Sequence, residues 1–393
     1  MPWEPTTMTE TRVKFILAYQ QRVLKGTITM AGLCEEFRIA RKTGYKLLDR
    51  YYREGWQGVA ERSRAPRSGP HWVEPACRQA ILQVKEECRD FGAKKIRADL
   101  ESTYPTLAWP SVSTIHTILK RAGWVEKQGG RKRYPHPGPP PSPRVISPNE
   151  EWSTDFKGQF RTRDRRYCYP LTVIDTFSRF LIGCDSLLEP NFAKTWKVFE
   201  RLFREYGLPQ SIRSDNGTPF ASSALLRLSR LSVRWVRLGI QLHLIEPGKP
   251  QQNARHERMH RTLKERVCTR PASTAIGQQV LFDRFRTHYN NRRPHEALGN
   301  RPPATAYTPS SRLYPSRLPE IAYADCTKVR KVNPNGEIKW RGKQIFLSQV
   351  LIAEPVGLQQ VDNGIWVVLF GPLTLGYFDE RDQKFHLERK DPT

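Results

Sequence analysis

Three carboxylates far apart in the sequence could act together: Asp155 in "EWSTDFKGQF", Asp215 in "IRSDNGTPF" and Glu257 in "NARHERMHRTLKERV". The chain around them is basic, with 65 Lys and Arg against 39 Asp and Glu, so a group of acids needs a reason. Two divalent cations held by carboxylates can activate an attacking oxygen and stabilise a leaving oxygen in phosphoryl transfer. Mg²⁺ suits such a site because it keeps waters and takes up substrate phosphates.

The alternative for Asp215 is a structural one. An Asp-Asn-Gly triplet is most often a turn, because Asn and Gly tolerate positive φ and Asp hydrogen-bonds its own backbone. Asn216 and Gly217 are therefore expected to make a turn, whatever Asp215 does. The chemical interpretation of Asp215 depends on the elements that position the other two acids.

Other acids in the same region have less specific interpretations. Asp175 is expected to be structural, pairing with Arg179, and metal ligation is its alternative role. Glu246 and Glu265 are outside candidates for the third acid of the group.

The charge balance points to a polyanionic partner. The formal net charge is +26 and the isoelectric point is about 10.0. Neutralising phosphates and releasing their counterions is the main sequence-independent source of nucleic-acid affinity, and solubility alone would not need such an excess. The 38% of hydrophobic residues allows buried cores, and a length of 393 residues predicts two to four domains.

Cysteine usage and hydropathy indicate a protein of the cell interior. The seven cysteines are scattered without zinc-ligand spacing, so reduced structural thiols are expected. No apolar run approaches the length of a membrane span, and "MPWEPTTMTE" is unlike an export signal. We therefore expect no membrane partner.

Two trihelical segments are predicted ahead of the acids. Within residues 1–65, a short helix, a tight turn at "RIA" and a longer basic helix are typical of a helix-turn-helix. A second unit of the same design is predicted over residues 70–128, so bipartite recognition of a long DNA site would follow. A three-helix bundle with a solvated basic face is the alternative. In the first unit, the residues expected to face DNA are Arg41, Lys42, Lys46 and Arg50.

The rest of the chain divides into a linker, a core and a tail. Residues 129–149 are basic and proline-rich, which favours an extended spacer. Over residues 150–305, three strand-like runs predict an antiparallel meander, and alternating helices and strands then predict a mixed α/β sheet. Short strands over residues 320–385 predict a small β-barrel.

Four motifs in this order resemble those of the integrase-like DDE transposases of bacterial insertion sequences, relatives of the retroviral integrases: "EWSTDFKG", "VIDTFSRF", "SDNGTPF" and "EPGKPQQNARHERMHRTLKE". The resemblance extends over nearly the whole chain. It implies a multidomain protein with tandem helix-turn-helix units, an RNase H-like catalytic core and an SH3-like β-barrel tail.

The resemblance also implies a site and a reaction. Asp155, Asp215 and Glu257 would be the catalytic residues and would bind two Mg²⁺ ions, for which Mn²⁺ could substitute. Water would first attack a phosphodiester at an element end, and the freed 3′-hydroxyl would then attack a target phosphate, without a covalent enzyme intermediate or ATP. The partners would be double-stranded DNA at element ends and target, and further copies of the chain. The location would be the bacterial cytoplasm, at the nucleoid when DNA is bound.

Further residues are expected to contact DNA. Arg261 and Lys264 share the helical face of Glu257 and could hold phosphates, with a plain solvated face as the alternative. His256 and His260 are expected to be polar surface. Lys249, in the motif before the helix, completes the predicted DNA-binding set. The segment after residue 289 also offers two candidates, Arg292 and Arg293.

One feature departs from the family pattern: 41 residues separate positions 215 and 257, more than in the commonest members. The shorter spacing would end on Gln251, which is not an acid. The added length falls in "SALLRLSRLSVRWVRLGI", which could form an extended helix. Two other functions stay open at this point: a DNA-binding regulator with a degenerate core, and an RNase H-like nuclease that hydrolyses but never joins strands.

Overall fold

The structure, a computed structural model, describes residues 8–60, 73–125, 145–246 and 250–388. The chain divides into two compact units, Met1–Trp72 and Val73–Thr393. Most of the predicted linker lies outside the described residues. Within the described parts, no helix is both long and apolar enough to span a bilayer.

In its described residues, 8–60, the first unit contains three α-helices. They are α1 (Met8–Ala18), which continues into a π-helical turn (Tyr19–Val23), α2 (Met30–Glu36) and α3 (Arg41–Glu54). The Thr29 hydroxyl caps α2 by accepting the Gly32 amide at 3.2 Å. Gly55, at φ +62°, ends α3. The buried apolar residues of this unit include Phe15, Ile16, Leu33, Leu47 and Leu48.

Gly44 allows α2 and α3 to pack closely. A Cβ at this position would lie 2.7 Å from Cys34 Sγ and 2.7 Å from Met30 Cε, so any larger residue would push the helices apart. A turn of four residues, 37–40, joins the two helices. This arrangement is compatible with the predicted helix-turn-helix, whose function in DNA binding stays a prediction.

The second unit begins with another helical trio: α4 (Pro75–Glu87), α5 (Ala93–Thr103) and α6 (Val112–Arg121). Pro75 starts α4, and the Ser111 hydroxyl caps α6 by accepting the Thr114 amide at 3.3 Å. Their shared core includes Ile81, Phe91, Ile96, Leu100 and Ile115. These helices belong to the same compact unit as the rest of the chain to Thr393, and the predicted domain boundary at residue 128 stays a prediction.

A mixed sheet forms the centre of the second unit, as predicted. Its strands are β1 (Glu151–Phe156), β2 (Phe160–Arg161), β3 (Tyr167–Asp175), β4 (Leu181–Leu187), β5 (Ser211–Ser214) and β6 (Gln241–Leu244). β3 pairs antiparallel with β1 and β4, which confirms the predicted meander. β5 pairs parallel with β1 and with β6. This is the sheet of an RNase H-like core.

Four helices pack around this sheet: α7 (Phe192–Tyr206), α8 (Arg230–Arg237), α9 (Ala254–Leu263), which continues into a π-helical turn (Lys264–Cys268), and α10 (Ala275–Asn291). The Asn191 side chain caps α7 by accepting the Lys194 amide at 2.9 Å. α7 and α8 bury Phe199, Phe203 and Trp235 beside Trp152 of β1. α9 and α10 contribute Met259, Leu263 and Phe282 to a second cluster beside β3 and β4.

The extra length between Asp215 and Glu257 is not an extended helix. α8 has eight residues, and the added chain is the loop before it, which contains a 3₁₀ turn (Leu225–Arg227). α8 serves two cores. Leu231 and Trp235 pack on the central mixed sheet, whereas Val233 and Val236 pack against the C-terminal strands.

The C-terminal strands form two sheets instead of the predicted barrel. The strands are β7 (Lys328–Lys331), β8 (Glu337–Trp340), β9 (Lys343–Phe346), β10 (Pro355–Asp362), β11 (Ile365–Phe370), β12 (Leu373–Asp379) and β13 (Lys384–His386). In the described chain, β13-β12-β11-β10-β7 make an antiparallel sheet, and β8 and β9 make a separate hairpin. Buried Trp340, Trp366 and Phe378 pack the hairpin against the sheet, so no closing strand pair is needed.

Candidate active site

The sheet brings two of the three predicted acids to one edge. Asp155 is near the carboxyl end of β1, and Asp215 directly follows β5. β1 and β5 are parallel, and Thr154 pairs with Ser214, so the residues that follow this pair lie side by side. Glu257 is in the first turn of α9, where the positive end of the helix dipole favours a carboxylate.

The pKa of Asp155 is affected by the other two acids. Burial, together with the negative charges of Asp215 and Glu257, raises the pKa of Asp155 to about 7. Burial also raises the pKa of Asp215. An acid whose pKa is raised by burial and by like charges is a frequent feature of functional sites.

The donor set suits a hard cation, although the side chains do not form a complete ligand cage. Carboxylate oxygens are the ligands that Mg²⁺ prefers, and a divalent charge would relieve the repulsion that raises the pKa of Asp155. Glu257 is exposed. Among the described residues, no group of three or more His, Cys, Asp or Glu side chains is arranged to hold a metal ion. A shared ion would need Glu257 to turn inward.

The turn after β5 is fixed by the residues that the sequence assigned to it. The Gly217 amide donates to Asp215 Oδ1 at 3.2 Å. Asn216 Nδ2 donates to the Ile245 carbonyl at 2.6 Å, which ties the turn to the segment after β6. Asp215 is therefore held by its own turn while its second carboxylate oxygen stays available.

Asn253 anchors the start of α9 to the Asp155 strand. Its Nδ2 donates to Asp155 Oδ2 at 3.2 Å, and its Oδ1 accepts from Ser153 Oγ at 2.9 Å. The residue is buried. Sequence reasoning missed it, although its place four residues before Glu257 puts it one helical turn away.

The two histidines beside Glu257 are not polar surface, as the sequence suggested. His256 is 1% exposed and His260 is 7% exposed. His256 Nδ1 lies 3.0 Å from Ser153 Oγ and its Nε2 lies 2.7 Å from Thr172 Oγ1. His260 Nε2 lies 2.7 Å from the same hydroxyl. The face of α9 that carries these two histidines packs on β1 and β3, and the basic residues of α9 lie on its other faces.

These contacts define a directed chain of hydrogen bonds. An ionised Asp155 only accepts, so the Asn253 amide must donate to it and present its oxygen to Ser153. Ser153 then donates to Asn253 and accepts from His256 Nδ1–H, which leaves Nε2 as an acceptor for the Thr172 hydroxyl. The single hydrogen of that hydroxyl can go to His256 Nε2 at 2.7 Å or to the Asp155 carbonyl at 3.0 Å. Burial lowers the pKa of His256 well below its usual value and that of His260 to about 3. Both rings are therefore neutral, and each can fill one donor and one acceptor position.

Lys157 is a neighbour that sequence reasoning also missed. It follows β1 two residues after Asp155, and its positive charge opposes the rise in the pKa of Asp155. Strand alternation could have revealed it, since residues two apart lie on the same face.

The predicted DNA-binding residues fall into three groups. Arg41, Lys42 and Lys46 are exposed on α3, whereas Arg50 donates to the Ala60 carbonyl at 3.1 Å and so supports its own unit. Arg261 and Lys264 are exposed on the Glu257 side of α9 and its continuation. Lys249 lies outside the described residues.

Arg292 and Arg293, the candidates in the segment after residue 289, make intramolecular ion pairs. Arg292 Nη2 lies 3.0 Å from Asp99 Oδ2, and Arg293 pairs with Asp90. These pairs hold α4 and α5 against the core. Arg293 is also buried, so neither guanidinium is a free phosphate ligand.

Asp175 has a structural role. Asp175 is buried, and its oxygens accept the backbone amides of Asn149 and Ser178, both at 2.7 Å. Its expected partner Arg179 instead donates to the Thr176 carbonyl. Burial raises the pKa of Asp175.

Comparison with known proteins places this site in a family of domains. Residues 147–250 and residues 238–303 each match a family described as an integrase core domain. Together the matched ranges contain the three acids. The central part of the chain is therefore similar to integrase core domains, and the resemblance that its motifs suggested is confirmed.

Similar proteins include products of insertion elements and of retroviruses. The chain is 27% identical over 228 residues to an uncharacterized 39.2 kDa protein of insertion element IS476 from Xanthomonas euvesicatoria, covering 57% of this chain and 62% of that protein. It is 27% identical over 232 residues to an uncharacterized 31.7 kDa protein of insertion element IS407 from Burkholderia multivorans, covering 56% and 76%. It is 28% identical over 240 residues to the Pol polyprotein of radiation murine leukemia virus, covering 61% and 36%.

Proposed function

We propose that this chain, built around an integrase core domain, is a DNA transposase that cleaves element ends and joins them to target DNA by two-metal phosphoryl transfer. The observation that carries the proposal is Asp155, half-buried at the end of the central strand beside Asp215, with a pKa raised to about 7 by burial and by the charges of Asp215 and Glu257. The similar proteins of insertion elements support the transposition role.

Asp155, Asp215 and Glu257 would hold the metal ions. Two Mg²⁺ ions, or Mn²⁺ in their place, supply Lewis-acid activation of the attacking oxygen and charge stabilisation at the leaving oxygen. The chain's own residues do the positioning. Asn253 holds the Asp155 carboxylate at 3.2 Å, and the Gly217 amide holds Asp215 at 3.2 Å.

Cleavage and joining would use the same site in succession. Water attacks a phosphodiester at the element end, and the bond to the 3′ oxygen breaks to release a 3′-hydroxyl. That hydroxyl then attacks a target phosphate, forming a new phosphodiester and expelling a target 3′-hydroxyl. Each step exchanges one P–O bond for another, so neither ATP nor a covalent enzyme intermediate is required.

The N-terminal helices would recognise the element ends. Arg41, Lys42 and Lys46 are exposed on α3, and α3 is the longer helix of the predicted helix-turn-helix. Joining two ends to one target favours further copies of the chain on the DNA. Such a protein would act in the bacterial cytoplasm, at the nucleoid.

A joining assay tests this proposal. A labelled duplex that ends in the element's terminal repeat and carries a free 3′-hydroxyl is incubated with plasmid and Mg²⁺. Label transferred into the plasmid indicates joining, whereas labelled short fragments alone would indicate the hydrolytic nuclease. End binding without either product would indicate the regulator.

Neutral variants of the three acids should lose both reactions. Asp155→Asn, Asp215→Asn and Glu257→Gln are each expected to lower joining by about 10²–10³-fold or more, since each removes a group that stabilises charge in the transition state. End binding, measured by gel shift, should persist. Gln251→Glu, at the alternative spacing, should not rescue Glu257→Gln.

A further inference from the structure

Four cations meet beside α9, on the side away from Glu257. At about 100° per residue, Arg258 and Arg255 lie about 100° and 160° around the helix from Glu257. Arg179 approaches from the turn between β3 and β4, and Lys95 from α5. We call Lys95, Arg179, Arg255 and Arg258 the α9 cation cluster.

Two guanidinium groups of the cluster converge on one oxygen. Arg179 Nη1 donates to the Thr176 carbonyl at 2.5 Å, and Arg255 Nη1 lies 3.5 Å from the same oxygen. Burial, together with the charges of Arg255 and Arg258, lowers the pKa of Arg179 to about 10. Like charges held this close raise the free energy of the folded protein.

Carboxylates do not neutralise the cluster. In the described chain, no carboxylate oxygen pairs with a cluster nitrogen within the 4.0 Å that defines an ion pair. The Asp175 carboxylate accepts from Asn149 and Ser178, and Glu296 pairs with Lys94 at 3.1 Å. Lys95 is affected by Glu265 and Glu296 only at longer range.

The cluster is also open to solvent. Arg255 and Arg258 are exposed, and Arg179 and Lys95 are partly exposed. A set of converging, unpaired and accessible cations is expected to bind an anion that supplies the missing charge, and Arg suits phosphate oxygens through its fork of donors.

We propose that the α9 cation cluster binds backbone phosphates of duplex DNA, outside the catalytic site. This inference rests on the proposed function for its ligand. It adds a second contact region, between α5 and α9, to the one formed by Arg261 and Lys264 on the Glu257 side.

The sheet gives the distance between Asp155 and the Thr176 carbonyl, where two guanidinium groups of the cluster converge. Thr172 pairs with Asp155 on the neighbouring strand, and Thr176 follows it by four residues. At about 3.3 Å per residue, Thr176 lies about 13 Å from the Asp155 level. This is about the rise of four base pairs, so the cluster would hold the duplex a few base pairs from the phosphate that reacts.

The salt dependence of DNA binding tests the inference. The double variant Arg255→Ala/Arg258→Ala should lower the slope of log K against log salt by about 1.8, since each phosphate contact contributes about 0.9. The variant Arg255→Lys/Arg258→Lys should keep most of the slope. The matched control Lys197→Ala/Arg284→Ala removes the same charge from exposed positions on α7 and α10 and should leave the slope unchanged.

Two duplexes separate the possible sources of the phosphate. A loss of slope with a terminal-repeat duplex only would assign the cluster to the element end, and a loss with an unrelated duplex as well would assign it to any duplex backbone. An unchanged slope on both duplexes, with wild-type binding intact, would overturn the inference alone. Failure of the wild-type protein to bind either duplex would overturn the proposed function.

Thermal unfolding distinguishes this role from a structural one. Because the cluster is repulsive, Arg255→Gln/Arg258→Gln should unfold at the wild-type temperature or higher while it loses DNA affinity. A lower unfolding temperature with unchanged affinity would show that the cluster supports the fold instead.

Discussion

At the scale of single residues, the site depends on polar groups buried beneath the carboxylates. Asp155 accepts from Asn253, which is linked through Ser153 and His256 to Thr172. In buried networks each group must find a partner, because an unsatisfied polar group costs more than a hydrogen bond contributes. The position of α9 over β1 is therefore set by hydrogen bonds as well as by packing.

The raised pKa of Asp155 makes the metal-free protein less stable as pH rises. Its folded-state pKa is about 7, against about 3.9 for an unfolded Asp. The folded state therefore holds the proton between about pH 4 and pH 7, and stability from this group falls across that range. Asp155→Asn has no ionisable group at this position, so its stability does not fall across this pH range for this reason. In EDTA, it should unfold at a higher denaturant concentration than wild type at pH 8, by a few kcal/mol at most.

The same comparison at pH 4 provides the control. There the wild-type carboxyl is protonated in the folded state, so the two proteins should differ little. A constant difference from pH 4 to pH 8 would contradict the assigned ionisation of Asp155.

Replacing the side-chain amide of Asn253, which donates to Asp155, tests the directed chain of hydrogen bonds. Asn253→Asp puts a second carboxylate against Asp155, so Asp155 loses its donor and the pair repels, while Ser153 keeps an acceptor. We expect joining to fall by about 10–100-fold, as is common when a group that orients a metal ligand is changed. The Mg²⁺ concentration for half-maximal activity should also rise.

Gln251→Glu is the matched control for that variant. It adds the same charge two residues earlier, at an exposed position. Equal losses in the two variants would indicate a general charge effect and would remove Asn253 from the positioning role.

At the scale of elements, the sequence predicted the strands well because they are short, apolar and bounded by turn residues. It could not predict which face of α9 is buried. The buried face of α9 carries polar residues. His256 and His260 both hydrogen-bond to the Thr172 hydroxyl, so their ring nitrogens have partners inside the protein. Hydrophobic periodicity cannot detect such a face.

The packing of α8, after the extra loop, could not be predicted from the sequence either. The apolar residues of 'SALLRLSRLSVRWVRLGI' are compatible with an extended helix. In the structure, Leu231 and Trp235 pack on one core, and Val233 and Val236 pack on another. A sequence pattern does not show that two separate partners share one short helix. It also did not show that the C-terminal strands form a sheet and a hairpin instead of a barrel.

Packing of α2 on α3 depends on the absence of a side chain at Gly44. Gly44→Ala would place a Cβ 2.7 Å from both Cys34 Sγ and Met30 Cε. Overpacking of this kind costs about 1–3 kcal/mol. Amide hydrogen exchange in residues 8–60 of the full-length protein should therefore become faster, and end binding should weaken.

Gly158→Ala is the control for the glycine substitution, because a Cβ at Gly158 would meet no atom within 4 Å. It should leave exchange in residues 8–60 unchanged. Normal exchange there in Gly44→Ala would mean that α2 and α3 do not pack as closely as the structure places them.

At the scale of the whole molecule, the positive charge is divided between two uses. The net charge of +26 predicted a polyanionic partner, but composition does not show which cations are already paired. Arg292 and Arg293 are occupied by Asp99 and Asp90. Arg255 and Arg258, by contrast, have no paired carboxylate among the described residues. Tertiary structure decides which arginines remain for DNA.

Asp155, Asp215 and Glu257 are proposed to share divalent cations when DNA is bound. Anomalous diffraction from crystals of the protein with a terminal-repeat duplex and Mn²⁺ would test it most directly. We expect manganese peaks between Asp155 and Asp215, with Glu257 turned inward and its carboxylate within about 2.2 Å of a peak. Peaks bound by other residues, or a Glu257 that still points to solvent beside an occupied site, would contradict a metal site shared by the three acids.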